Sequence, residues 1–535
     1  MTRQAELARD FSSVVKFGPR ALSDNPDDSN LLESLLVAHT ALGEVDKALP
    51  FARRLSSVDD GNQLAGLTLL SDALTQENWD EASKLMENGA SFGGVVDQMV
   101  QAWVNLAQGQ MSDAIAVFDT LSEDEGTKPF AQFQKALALA NAGDFEGAAH
   151  IFGGEDGPLH LNRLGILSYA QVLSQLDRHD DALALLETHD TGQVDPEVDT
   201  MKAQLEAGEV LPFTGITSYK DGIAELLYFV AETRVNGPDP TIALLFSRLA
   251  EHLDPDYPAA LLLSAQLLEQ MSLYDLSVET YGKIPEDSLI YQQAALGRTD
   301  VLRRSEQFDE AIAELNALAE KFPETLRFRV ALGDTYMQQQ QFDNARAAYD
   351  LAIEGFTEDL PGQWRTYFQR AIALSKTDDW PAAEKDFRKA LELSPEEPSV
   401  LNYLGYTYLE KGINFDEALG MIERAVAARP NSGAIVDSLG WGFFRTGRYE
   451  EAVVQMERAV ELIPIEPILN DHLGDTYWAV GRKREAEFQW RRALSFITDD
   501  TDLEEMNPDR VRRKLEVGLD VVLEEEGAAP LRPAE

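Results

Sequence analysis

There is no cysteine anywhere in this chain of 535 residues, which removes disulfides, thiolate nucleophiles and cysteine-ligated metals. Long apolar runs are missing too. The stretch IAELLYFVA at 223–231 falls far short of the roughly 20 residues that span a bilayer. The opening MTRQAELARDFSSVV lacks the apolar core of a secretory signal. Positive charge is scarce: 46 Lys and Arg face 93 Asp and Glu, for a formal net charge of −47. A field of that sign, spread along the chain, repels phosphate backbones and anionic lipid, so nucleic acid is excluded as a partner. The 7 histidines are scattered. No P-loop, dinucleotide fingerprint, HExxH helix or calcium loop occurs. VDSLG at 436–440 carries valine where a nucleophile elbow needs its first glycine. The sequence therefore points to no enzyme, no cofactor and no metal site. An apolar share of 44% is nevertheless that of a folded protein.

What the chain has is a period. Small residues stand at Val14, Ala48, Ala82, Ala114, Ala148 and Ala182, then at Ala243, Ser277, Ala311, Ala345, Ala383, Ala418, Ala452 and Ala486. Most steps are 34 residues, and one, between Ala182 and Ala243, is 61. Such a period means stacked supersecondary units, each too small to bury its own apolar face.

The unit is clearest in VLNYLGYTYLEKGINFDEALGMIERAVAARP (400–430), AIVDSLGWGFFRTGRYEEAVVQMERAVELIP (434–464) and ILNDHLGDTYWAVGRKREAEFQWRRALSFIT (468–498). Leu-Gly recurs at 404–405, 439–440 and 473–474, with Tyr408, Phe443 and Tyr477 three residues after each glycine. Glycine and alanine suit a close crossing of two antiparallel helices, where a larger side chain would part the backbones. Gly447-Arg448 and Gly481-Arg482 fit the turn between helices, and Pro430 and Pro464 end the second helix. This pattern resembles the tetratricopeptide repeat family, and within it long proteins of the bacterial envelope. The resemblance implies an all-α superhelical solenoid of antiparallel helix pairs that binds proteins or peptides.

The expected organisation is an N-terminal array over 1–190, an irregular linker with one helix over 191–222, a C-terminal array over 223–498, a capping helix over 499–526 and a tail over 527–535. The linker accounts for the 61-residue step and reads as a solvent-exposed insertion or a hinge. Only half of a first helix precedes Val14, so the chain reads as starting inside a repeat. The capping helix places Val511, Leu515, Leu519 and Leu523 on one stripe, with Glu524, Glu525 and Glu526 opposing its dipole and fraying its end.

The surface able to carry function is the groove lined by the first helix of each unit. Registering the last three repeats puts Asn402, Asp437 and Asp471 at one inward position, Tyr406, Trp441 and Asp475 at the next, and Leu409, Phe444 and Trp478 beyond them, with His472 alongside. Aromatics beside short acceptors suit an extended peptide. Related repeats that grip a C-terminal carboxylate use inward Lys, Arg and Asn, which these acidic and aromatic positions do not supply. A second candidate is a basic docking patch of Arg482, Lys483, Arg484, Arg491 and Arg492, followed by Arg510, Arg512, Arg513 and Lys514. A structural, self-associating or spacing role is the alternative to partner binding. The compartment stays open: periplasm or outer membrane if a signal precedes Met1, cytoplasm otherwise.

Overall fold

The computed structural model describes residues 9–159, 161–189, 195–237, 239–498, 501 and 506–531. The half-helix expected before Val14 lies largely outside them, as do linker residues 191–194 and the end of the tail. The described residues form α-helices, one short 3-10 turn and no strand, in two compact units, 1–307 and 308–535.

Unit 1 holds α1 (Phe11–Leu22), α2 (Ser29–Ala41), α3 (Val45–Val58), α4 (Gln63–Thr75), α5 (Trp79–Glu87), α6 (Gly94–Ala107), α7 (Met111–Leu121), α8 (Lys128–Asn141), α9 (Phe145–Phe152), α10 (Arg163–Gln175), α11 (His179–Thr188), α12 (Pro196–Glu206), α13 (Tyr219–Thr233), α14 (Pro240–Leu253), α15 (Pro258–Gln270), α16 (Tyr274–Tyr281) and α17 (Tyr291–Arg304). Unit 2 holds α18 (Phe308–Lys321), α19 (Arg327–Gln338), α20 (Phe342–Glu354), α21 (Trp364–Lys376), α22 (Trp380–Leu393), α23 (Pro398–Lys411), α24 (Phe415–Ala428), α25 (Gly433–Arg445), α26 (Tyr449–Leu462), α27 (Pro467–Ala479), α28 (Lys483–Ser495), α29 (Pro508–Val517) and α30 (Leu519–Glu525).

Helix starts follow local chemistry. Asp28, Asn62 and Asn162 accept backbone N–H groups of the first turn, and Pro240, Pro258, Pro398 and Pro467 occupy first positions where no donor is lost. Most turns within a pair carry one left-handed residue. Gly43, Gly109, Gly143, Gly447 and Gly481 supply it, but Glu77, Asp177, Ser272, Glu306, Gln340 and Asp378 adopt the same positive φ without being glycine.

The alanines of the series from Ala48 to Ala486 are wholly buried, all at 0% exposure. Their glycine counterparts admit nothing larger: a Cβ on Gly474 would lie 2.4 Å from the Trp490 ring, and one on Gly333 2.4 Å from Tyr349. Close crossing of the two helices is thus a steric fact of each pair.

Within unit 1 the 61-residue step has a physical use. After α12 the chain runs extended over 209–218, and its backbone is bound by inner-face side chains of α10 and α8. Ser174 Oγ accepts from Leu211 N–H at 2.9 Å, Gln171 Oε1 from Thr214 N–H at 2.9 Å, and Asn141 Nδ2 donates to the Ile216 carbonyl at 2.9 Å. The pair α13–α14 then packs on α2, α4, α6 and α8. Gly222 sits so close to Trp103 that a Cβ would be 2.5 Å from its ring, and Phe229 stacks on Phe130 at 4.1 Å. Arg248, 1% exposed, donates to the Ala41 carbonyl at 3.1 Å and pairs with Glu251. The segment expected as an exposed insertion is thus tied to its own array by these bonds and by the buried Leu211 and Ile216, while Glu209, Val210, Pro212, Thr214 and Thr217 stay exposed.

Unit 2 ends in two helices rather than the single expected capping helix. Gly518, at φ +87°, breaks it, and a Cβ there would lie 2.3 Å from the Trp478 ring. Two of the three glutamates expected to fray the end instead meet the preceding helix: Arg513 pairs with Glu525 at 2.6 Å and Arg510 with Glu526 at 2.7 Å.

Candidate functional site

In unit 2 the first helices α23, α25 and α27 lie side by side, and the inward residues registered from the sequence fall into two groups. The first stays together as a lane. Trp441 on α25 stacks on His472 of α27, with ring centroids 4.1 Å apart and planes 13° apart, and on Phe444 at 4.9 Å. Its indole N–H donates to Glu410 Oε1 at 2.7 Å. Asp437, 4% exposed, holds His472 Nδ1 at 2.9 Å through one oxygen. Burial acts to lower the His472 pKa, but the neighbouring Asp437 carboxylate, with Asp471 and Asp475 behind it, outweighs that and raises it to about 9. The stack is thus cationic at neutral pH, an imidazolium against an indole face.

Two acceptors of the lane are buried without a hydrogen-bond partner, Asn402 Oδ1 and Asp437 Oδ1. They occupy the same position on successive first helices. Unmet buried acceptors cost about 1–3 kcal/mol each, which a donor would relieve. Tyr406 is half-buried beside them, whereas Leu409 is fully buried and belongs to the core.

The second group is covered by α29 and α30. The Lys514 ammonium, 0% exposed, lies 2.8 Å from Asp471 and 2.7 Å from Asp475. Asp475 also accepts from Trp490 Nε1 at 2.9 Å. Burial raises the Asp475 pKa, and Asp471 adds to that, while Lys514 and Arg510 oppose it. Trp478 donates to Asp520 at 2.9 Å and carries the Lys483 ammonium 4.3 Å over its ring. Asp471, Asp475 and Trp478 therefore hold the chain's own C-terminal helices and do not line the open lane.

The basic patch is largely neutralised within the chain. Arg482 pairs with Glu457 and Glu485, Arg491 with Glu487, and Arg492 donates to the Pro464 carbonyl at 3.0 Å. Arg484 is exposed.

Unit 1 contains a feature absent from the sequence reading, a cleft of 1130 Å³ between α10, α12, the 209–218 segment, α13 and the starts of α15 and α17. Glu225, 2% exposed, sits in its wall and accepts a hydrogen bond from the Tyr257 hydroxyl. Its pKa rises to about 7 because burial disfavours the charge, with Tyr257 and Asn162 working against the rise and Glu232 adding to it. A glutamate inside the otherwise apolar stretch 223–231 was the available signal. Among the described residues no group of His, Cys, Asp and Glu is placed to hold a metal ion, and no helix is long and apolar enough to cross a membrane.

Helix pairs with small residues at their crossings and a left-handed residue in most of their turns define an all-α repeat solenoid. The sequence profile of the tetratricopeptide repeat matches residues 99–153, 296–359, 368–413 and 414–465. The TPR repeat-containing protein PA4667 of Pseudomonas aeruginosa is 28% identical over 156 residues, 29% of this chain and 26% of that protein, so the match spans about a quarter of the relative. Among solved structures, one of the Cut9–Hcn1 hetero-tetramer of the APC/C covers 97% of this chain and 95% of its own, at 12% identity and TM-score 0.40. MamA covers 32% of this chain and 90% of its own, at 22% identity and TM-score 0.29. YrrB, described as a TPR protein with an unusual peptide-binding site, covers 35% and 93%, at 19% identity and TM-score 0.29. The four matched stretches of the chain carry tetratricopeptide repeats, a protein-interaction module, within an all-α repeat fold.

Proposed function

We propose that this protein is a non-enzymatic scaffold that binds a protein or peptide partner along Asn402, Tyr406, Asp437, Trp441, Phe444 and His472, as part of a bacterial envelope assembly. The observation that carries this reading is the pair of buried, unpartnered acceptors, Asn402 Oδ1 and Asp437 Oδ1, beside an aromatic stack. Backbone N–H groups of an extended segment would satisfy them, and half-buried Trp and Tyr are the usual anchors of interfaces. The envelope part rests on the resemblance to long envelope repeat proteins. Affinity capture from native membranes with the tagged full chain tests both. Trp441→Ala and Asn402→Ala are expected to lose the same partner by about tenfold or more. Equal recovery with both variants, or recovery only from the cytosol, would contradict the reading.

A second reading, self-association, is favoured by apolar side chains left exposed on second helices: Val454 is 61% exposed and Phe488, at the same position one repeat later, 59%. Light scattering over a dilution series separates the two, with Phe488→Ser removing any concentration dependence that this face causes.

A further inference from the structure

We infer that the cleft of unit 1 is a second recognition site, one that takes an arginine or lysine side chain presented by an extended peptide segment of a partner protein. Its wall holds Glu197, Asp221, Glu225, Glu232, Asp254 and Asp287, and among the described residues the single cation there is Arg163. That cation is already committed, lying 3.1 Å from Asp195 and 2.7 Å from Glu197. Five carboxylates and Glu225, which burial leaves partly protonated, against one engaged guanidinium leave the cleft negative.

Charge alone would not make a site. The independent observation is Glu225 Oε1, buried without a hydrogen-bond partner in that wall, while its other oxygen is held by Tyr257. A buried carboxylate oxygen with spare accepting capacity is the group a guanidinium or ammonium completes. Burial keeps the Glu225 pKa near 7, and an incoming cation would return it to the charged form. The Tyr228 and Tyr257 pKa values are both raised, chiefly by burial, with the neighbouring carboxylates adding to the rise.

The remaining wall explains why the occupant is a peptide. Leu167, Leu211, Pro212, Leu289 and Ile290 give it apolar ground beside the acids. At 1130 Å³ it exceeds the roughly 300–1,000 Å³ that suits a drug-sized ligand. The same molecule shows how such a cation is received, since Lys514 is clasped between Asp471 and Asp475 at the inward positions of unit 2.

The proposal rests on the scaffold reading but concerns a different surface, so Glu225 variants report on the cleft and Trp441 variants on the lane. The probe is acetyl-Ala-Leu-Arg-Leu-Ala-amide, titrated calorimetrically into the full chain at about 150 mM salt, where long-range attraction is screened. Its partner is the same peptide with neutral citrulline for arginine. One-to-one binding is expected, weakened about tenfold or more by citrulline or by Glu225→Gln, and unchanged in Asp60→Asn, a remote exposed acid. Leu289→Ala at the rim is expected to weaken binding as well, which keeps the test usable if Glu225→Gln folds poorly. Photo-leucine in place of leucine should crosslink within 211–217 or 257–259. Equal binding of both peptides, no binding, crosslinks confined to unit 2, or one-to-one binding of spermidine with none of the peptide would overturn the proposal.

Discussion

The first helices α2 and α6 of unit 1 and α19 of unit 2 occupy the same place in the repeat yet carry different burial. In α2 the residues Ser34, Leu35, Leu36, Ala38, His39, Thr40 and Ala41 are all buried, and α6 is buried from Ala102 through Leu106. In α19 only Phe328, Leu332, Gly333 and Thr335 are. A helix buried on every side must have a neighbour on every side. For α2 and α6 that neighbour is the α13–α14 pair, for α8 and α10 the 209–218 segment takes part, and at the end of unit 2 it is α29 and α30. A repeat groove is thus a surface that the chain itself competes for, and what it leaves uncovered is what partners can use.

The largest effect should come from removing the cation that closes unit 2. Lys514→Met strands Asp471 and Asp475 as buried carboxylates, and loss of one partner of a buried pair costs about 3–5 kcal/mol. Urea unfolding followed by tryptophan fluorescence should show that loss, and a change below about 1 kcal/mol would mean that the cap does not depend on the clasp.

Next comes pH. The His472 pKa is raised from 6.5 to about 9, so its contribution is complete below pH 6.5 and disappears as pH rises through about 9. Stability should fall over that window by an amount on the order of 2–3 kcal/mol, and Asp437→Asn should flatten the fall. A stability profile that stays flat to pH 9.5 would break the cationic stack. Unit 1 offers a matching steric test. Gly222→Val drives a side chain into the Trp103 ring and should cost about 1–3 kcal/mol, read as a lower urea midpoint. An unchanged midpoint would mean that α13 does not seat against α6. Smallest is Gln340→Gly, which removes a positive-φ side chain from a turn of unit 2 and should add about 1 kcal/mol; no gain would mean that the turn carries no strain.

The sequence made the repeat itself legible, because a close crossing tolerates only small side chains and so leaves a periodic mark. Ala48 through Ala486 carry it, and every one is buried as that logic requires. What covers a groove leaves no such mark. Gly518, between two apolar residues, was the visible sign of a broken cap, but the Lys514 clasp joins residues 39 and 43 positions apart. The inward register of Asn402, Asp437 and Trp441 could be read from repeat alignment, whereas Glu410 as the indole acceptor lies a repeat away, on α23. The run SLLVAHTA at 34–41, free of Asp, Glu, Lys and Arg, was the signal for a filled inner face in unit 1, since a one-sided helix carries charge on its open face. Glu225 and Tyr257, separated by 32 residues, meet only because α13 turns inward.

Whether unit 1 fills its own inner face is read most directly by amide hydrogen exchange over 209–218. The amides of Leu211 and Thr214, held by Ser174 and Gln171, should exchange orders of magnitude more slowly than free chain, with protection approaching that of α10. Exchange of both at the rate of an unstructured peptide would contradict a groove filled by its own chain.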